Sequence, residues 1–207
     1  MGICSCLQYA TFLINYISVM AKILCALTVF FITAGGAAWG NVENPFLSGY
    51  ENQVAFNVGT GVNDGFLIPS PSEFVPFNML HLQYSQNMTF FGIQARKSLN
   101  VIQTIGWGKK YGWNWEKYTI PIAMLSVDVS PWYGDDWYTF VGFGAGFQAQ
   151  QNKRIGSKLI FSFKLGAGYR ISECTSVEVF AHHFSNGNTA PENNSYAFYG
   201  MGLTYSF

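Results

Sequence analysis

The sequence predicts an all-β protein, an eight-stranded antiparallel transmembrane β-barrel, and three observations carry that expectation. Charged residues make up 11% of the 207-residue chain and aromatic residues 18%, whereas soluble domains carry roughly 25% charge. From Gln53 onward, apolar and polar residues alternate in eight segments divided by turn signals, the period of half-buried strands. The polar face of those segments is rich in glycine, as at Gly142, Gly144 and Gly146, at Gly166 and Gly168, and at Gly200 and Gly202. A soluble sandwich shows the same alternation, but small inward residues suit the narrow lumen of an eight-stranded barrel.

The segments follow in order. Gln53 to Val62 sets Val54, Phe56 and Val58 against Asn57, Gly59 and Gly61. After a polar loop with Pro69 and Pro71, the second segment, Val75 to Ser85, sets Leu80, Leu82 and Tyr84 against Met79, His81 and Gln83. Met88 to Lys97 reads either as an extended strand or as a folded connection. Leu99 to Trp107 is the weakest segment, because Gln103 interrupts its apolar face, and Gly108 to Lys117 reads as an aromatic-rich loop. Thr119 to Val129 and the stretch from Trp137 to Gln150 flank a short turn, Ser130 to Asp136. Lys158 to Arg170 is the cleanest segment, and the seventh covers Val177 to Ser185. The last, Tyr196 to Phe207, runs to the final residue and puts Met201, Leu203, Tyr205 and Phe207 on one face. This ending resembles the C-terminal signature of bacterial outer-membrane barrels.

Two expectations follow for side chains away from the apolar face. Lys158, Lys164, Asp128, Glu178 and Arg170 are expected to pair in the lumen, with His81 and His182 also inward. Trp107, Trp113, Trp115 and Trp132 are expected as interfacial girdle residues.

The first 38 residues differ in character. Met20-Ala21-Lys22, the apolar run Ile23 to Ile32 and the small residues Thr33 to Ala38 read as a secretory signal. The expectation is a signal peptide over residues 1–38, with Met20 as the true start, followed by a barrel over 39–207; a retained anchor is the rival reading. Cys4, Cys6 and Cys25 fall in the leader, which leaves Cys174 alone in the mature chain as a turn residue. The net charge is zero, so no basic face argues for nucleic acid. No Cys/His cluster has metal-ligand spacing and no glycine loop follows a strand to cradle phosphate, so neither metal nor cofactor is expected.

The candidate chemistry sits in Val177-Glu178-Val179-Phe180-Ala181-His182-His183-Phe184-Ser185. As a strand it puts Val177, Val179, Ala181, His183 and Ser185 on one face. A polar pair at the end of an apolar face is expensive where that face meets lipid. A hydroxyl becomes a nucleophile when a base takes its proton, and His183 stands two residues from Ser185 on that face. The loop after the strand offers Glu192, Asn193 and Asn194 to orient the imidazole, and Asn186 or nearby backbone N–H groups to meet a developing oxyanion. The bland alternative is a solvated loop edge with no chemistry.

With its upstream Gly166-Ala167-Gly168-Tyr169 strand and its position two strands from the barrel end, His183-Phe184-Ser185-Asn186-Gly187 resembles the PagL-type lipid A 3-O-deacylases. The resemblance extends over Phe90-Phe91-Gly92, Tyr111-Gly112-Trp113 and the Tyr196 to Phe207 ending. It implies an outer-membrane esterase with Ser185 as nucleophile, His183 as base and Asn186 at the oxyanion. The implied substrate is the 3-O-linked hydroxyacyl chain of lipid A in lipopolysaccharide, cleaved without cofactor. Asn194 stands before Ser195-Tyr196 where the family carries a Glu, so the third member of the triad is Asn194 or Glu192. Two other readings stay open: a non-catalytic small barrel of the adhesin or membrane-integrity type, and an esterase acting on phospholipid. The oligomeric state, a homodimer included, is not fixed by the sequence.

Overall fold

The computed structural model describes residues 44–47, 49–63 and 74–207. The expected signal peptide and the loop with Pro69 and Pro71 lie outside the described residues. Eight strands make a closed wall: β1 (Asn52–Val62), β2 (Phe74–Phe90), β3 (Ile93–Gly106), β4 (Pro121–Val129), β5 (Trp137–Gln148), β6 (Leu159–Ser172), β7 (Thr175–Ser185) and β8 (Tyr196–Ser206). Each pairs antiparallel with the next, and β8 closes on β1 from Gln53↔Ser206 to Val62↔Ala197. Closure leaves no open sheet edge, which a membrane does not tolerate.

The segment from Met88 to Lys97 resolves as strand on both sides of a turn. Phe91 and Gly92 have φ of 49° and 80°, the paired left-handed residues of a type I′ hairpin. Gln103 stays half-buried on β3 because its amide donates to the Thr104 carbonyl at 2.8 Å. Turns at the end carrying the C-terminus are short, at residues 91–92, 130–136 and 173–174, while residues 107–120, 149–158 and 186–195 make long connections at the far end. That asymmetry marks the first end as periplasmic and the second as extracellular. Cys174 lies in the last of the short turns as a free thiol.

The lumen is filled. Arg96, fully buried, donates through Nη1 and Nη2 to the Glu178 carboxylate at 2.8 and 3.2 Å, and through Nε to Asp128 Oδ2 at 3.0 Å. Tyr138 Oη donates to Glu178 Oε1 at 2.9 Å, and Lys164 Nζ stands 3.9 Å from Glu178 Oε2. Phe46, from the segment before β1, lies 4.4 Å beneath the Arg96 guanidinium and 5.2 Å from the Tyr138 ring. The inward glycines make room for these groups: a Cβ at Gly168 would overlap the Tyr138 ring, and one at Gly142 would overlap the Asp128 carboxylate. His81 and His182 are also inward, with ring centroids 5.9 Å apart, and His81 Nε2 sits 2.8 Å from Asn100 Oδ1.

Three lumen and girdle expectations are corrected. Lys158 is exposed just before β6 begins, outside the lumen. Arg170 pairs with Asp136 at 3.3 Å near the periplasmic turns, where both remain partly solvated. Trp115 is 1% exposed. It sits in a 3-10 turn, Trp115–Tyr118, begun by Asn114, whose side chain accepts from the Glu116 N–H. Its ring packs on Phe77 at 5.2 Å. Aperiodic loops give no parity from which to read such burial.

Removing one member of a buried ion cluster leaves its partners charged and unpaired. Arg96→Met is therefore expected to lower barrel stability by about 3–5 kcal/mol, measured by urea unfolding in lipid vesicles. An unchanged unfolding midpoint would mean that the cluster does not hold the wall together.

Candidate active site

Alternation sorts the two faces of β7. Glu178, Phe180, His182 and Phe184 are buried in the lumen, while Val179 is 52% exposed on the outer face. His183 and Ser185 share the outer parity and are half-buried, at the extracellular end of the strand. The wall of β7 separates them from His182 and His81, so the two adjacent histidines stand in different surroundings.

Register supplies the neighbours of the outward pair. Ser185 lies opposite Phe161 and His183 opposite Phe163 on β6, with Ala181 opposite Leu165 one step further down. On β8, His183 faces Ala197 and Ala181 faces Tyr199. The hydroxyl and imidazole therefore stand at the top of an apolar track that runs toward the membrane interior. Phe161 also leans over Gly187, where a Cβ would come within 2.9 Å of its ring. Gly187 has φ of 60°, so the backbone and the close approach both require glycine there.

Asn186 turns inward and shapes the loop that follows. It is fully buried, and its backbone N–H donates to Asn193 Oδ1 at 3.0 Å. Its Nδ2 donates to the carbonyls of Ala190 at 3.2 Å and Glu192 at 2.8 Å, and its Oδ1 accepts from the Asn188 N–H at 2.8 Å. A short polar side chain that closes a turn on its own backbone is a common use of asparagine. Here it ties the residue after Ser185 to the far side of the loop.

The expected third members lie on that far side. The Glu192 carboxylate packs against Gly156, and its carbonyl accepts from the Gly156 N–H at 2.9 Å. Asn194 is exposed; its N–H donates to the Arg154 carbonyl at 2.8 Å, and its carbonyl accepts from Arg154 Nη2 at 2.9 Å. The 149–158 and 186–195 loops thus pair with each other, with a bridge between Ile155 and Asn193. Sequence reading missed Arg154 as part of this arrangement, because no periodicity or spacing marks a loop residue that binds carbonyl oxygens. Among the described residues, no three His, Cys, Asp or Glu side chains gather as a metal site.

The model of the lipid A 3-O-deacylase (PagL) family matches residues 91–206, over half of the chain and all of β3 to β8. No curated protein matches the chain. Among solved structures, the outer membrane enzyme PagL is 18% identical, with 75% of this chain and 99% of that one covered at a TM-score of 0.47. Neisserial surface protein A is 7% identical, with 75% and 96% covered at a TM-score of 0.48. A de novo designed transmembrane β-barrel is 11% identical, with 76% and 95% covered at a TM-score of 0.47. The strand register of this chain establishes its barrel, and the sequence match establishes its kinship: the chain belongs to the lipid A 3-O-deacylase (PagL) family of the outer membrane.

Proposed function

We propose that the protein is a carboxylic ester hydrolase that removes the 3-O-linked hydroxyacyl chain of lipid A, with Ser185 as nucleophile and His183 as general base. The observation that carries this reading is the outward pair at the extracellular end of β7, on a chain of the PagL family. Lipid A resides in the membrane, so its ester reaches the pair laterally along the wall rather than through the filled lumen. The apolar track of Phe163, Leu165 and Ala181 below the pair suits an acyl chain, and burying each methylene is worth about 0.8 kcal/mol.

In this mechanism Ser185 Oγ attacks the ester carbonyl while His183 accepts its proton. The tetrahedral intermediate collapses, the sugar hydroxyl leaves with the proton from His183, and the acyl group remains on Ser185. Water, deprotonated by the same imidazole, then releases the 3-hydroxy acid and restores the serine. Asn186 is the proposed oxyanion donor through Nδ2, which must let go of the Ala190 carbonyl, the longer of its two bonds. Asn194 is the proposed orienting group for His183, with Glu192 as the alternative if its carboxylate leaves Gly156. An amide oxygen orients an imidazole as a carboxylate does, as in Cys-His-Asn enzymes, but adds no charge to stabilise the imidazolium.

That missing charge favours, as the second reading, a barrel that retains the site without turnover and binds lipid headgroups through it. Release of 3-hydroxy fatty acid from lipid A by purified protein in detergent micelles separates the two. Ser185→Ala and His183→Ala are each expected to lower the rate about a thousandfold or more, whereas His182→Ala keeps most of it per folded molecule. Equal loss at His182 and His183 would contradict the assignment of faces. Asn194→Ala and Glu192→Gln, measured separately, identify the orienting group as the one whose loss lowers kcat; a rate untouched by both removes either from the triad.

A further inference from the structure

We infer that Arg154 is a positioning residue that clamps the catalytic loop from across the barrel mouth, an inference that rests on the deacylase reading above. Arg154 belongs to the 149–158 loop, yet its side chain is 2% exposed. Its Nε donates to the Ser195 carbonyl at 2.8 Å and its Nη2 to the Asn194 carbonyl at 2.9 Å. The same guanidinium reaches Asn63, with Nη1 at 3.5 Å from Oδ1 and Nη2 at 3.4 Å from the carbonyl oxygen. Its Cζ lies over the Trp113 ring, 5.1 Å from the centroid, and over the Trp115 ring at 4.9 Å. One side chain thereby joins Asn63, just after β1, to the 107–120, 149–158 and 186–195 connections.

The chemistry of the contacts explains why an arginine stands there. A planar guanidinium offers several donors in fixed directions and stacks on aromatic rings, which an ammonium on a flexible stem does not reproduce. The neighbouring backbone is built to receive it. Asn152 Oδ1 accepts from the Arg154 and Ile155 N–H groups at 2.9 and 2.8 Å, which holds the loop in its turn. Ser195 has φ of 51°, a left-handed conformation unfavourable for a non-glycine residue. The bond from Arg154 to the Ser195 carbonyl holds that strained residue in place.

The consequence reaches the nucleophile through a short chain of contacts. Arg154 fixes Asn194 and Ser195; Asn193, next in line, accepts the backbone N–H of Asn186; Asn186 follows Ser185. Releasing the clamp frees the 192–195 segment to move relative to the end of β7. A displacement of about 1 Å away from the reacting atoms lowers rates by up to a hundredfold. Arg154 touches neither Ser185 nor the ester in this account, so it acts on kcat through the loop.

Two readouts on the full chain in micelles test this. In Arg154→Met, amide hydrogen exchange across residues 186–195 is expected to speed up at least tenfold, while exchange in β7 and the barrel melting temperature hold. The deacylation kcat is expected to fall tenfold to a hundredfold with KM within twofold, and millimolar guanidinium is expected to restore part of it to Arg154→Ala. Arg154→Lys is the second variant if Arg154→Met does not insert, with the loop expected to loosen to a lesser degree. Unchanged loop exchange, unchanged kcat, or a loss that follows melting of the whole barrel would overturn the clamp. A wild-type protein that inserts but releases no fatty acid counts against the deacylase reading instead, and loop exchange then decides the clamp alone.

Discussion

The contact between Arg96 and Glu178 determines which way β7 faces. Glu178 has the opposite strand parity to His183 and Ser185, so anchoring its carboxylate in the lumen turns the other two outward. A slip of one residue in register moves every side chain of a strand to the other face. Such a slip would put Glu178 against lipid and leave Arg96 and Lys164 without it in the lumen. Replacing a buried ion cluster with apolar groups is often neutral, whereas stranding one of its members is costly. The cluster therefore serves register more than net stability.

From this constraint comes a division of labour across a wall one side chain thick. The inner face holds charge, tyrosine and histidine in a packed, hydrogen-bonded lumen, with Phe46 closing it beneath Arg96. The outer face is apolar, with Leu82, Leu125, Phe147 and Met201 each more than half exposed. Polar groups on that face are costly in lipid, and the pair on β7 stands half-buried at the extracellular end of the strand. The proposed reaction needs that height: a hydroxyl placed lower would lack water for the second step, and one placed higher would miss the ester. In the proposed mechanism the loop after β7 supplies the group that orients His183, either Asn194 or Glu192.

The wall was legible in the sequence because alternation in a strand is a physical period. Each of the eight segments was visible, and so was the parity of β7, since lipid outside and packed polar groups inside force opposite residue types onto opposite faces. Arg96 was less visible: it lies in the stretch where strand and turn competed, and its inward parity emerges only once β3 is extended down to Ile93. Lys158 and Arg170 misled, because parity says nothing once a residue passes the strand end into water. The loops were opaque. Trp115 and Arg154 are buried by contacts between segments far apart in the chain, and no local pattern encodes such meetings. The shared outward parity of His183 and Ser185 was legible, whereas the bond from the Asn186 N–H to Asn193 across the loop was not.

Covalent capture of Ser185 from the lipid phase tests its proposed role as nucleophile most directly. An alkyl fluorophosphonate, reactive toward activated serines, would be added to the protein in membranes, followed by peptide mass spectrometry. A single adduct on Ser185 is expected, lost in His183→Ala and kept in His182→Ala. An adduct on another serine, or labelling of Ser185 that does not depend on His183, would contradict that role.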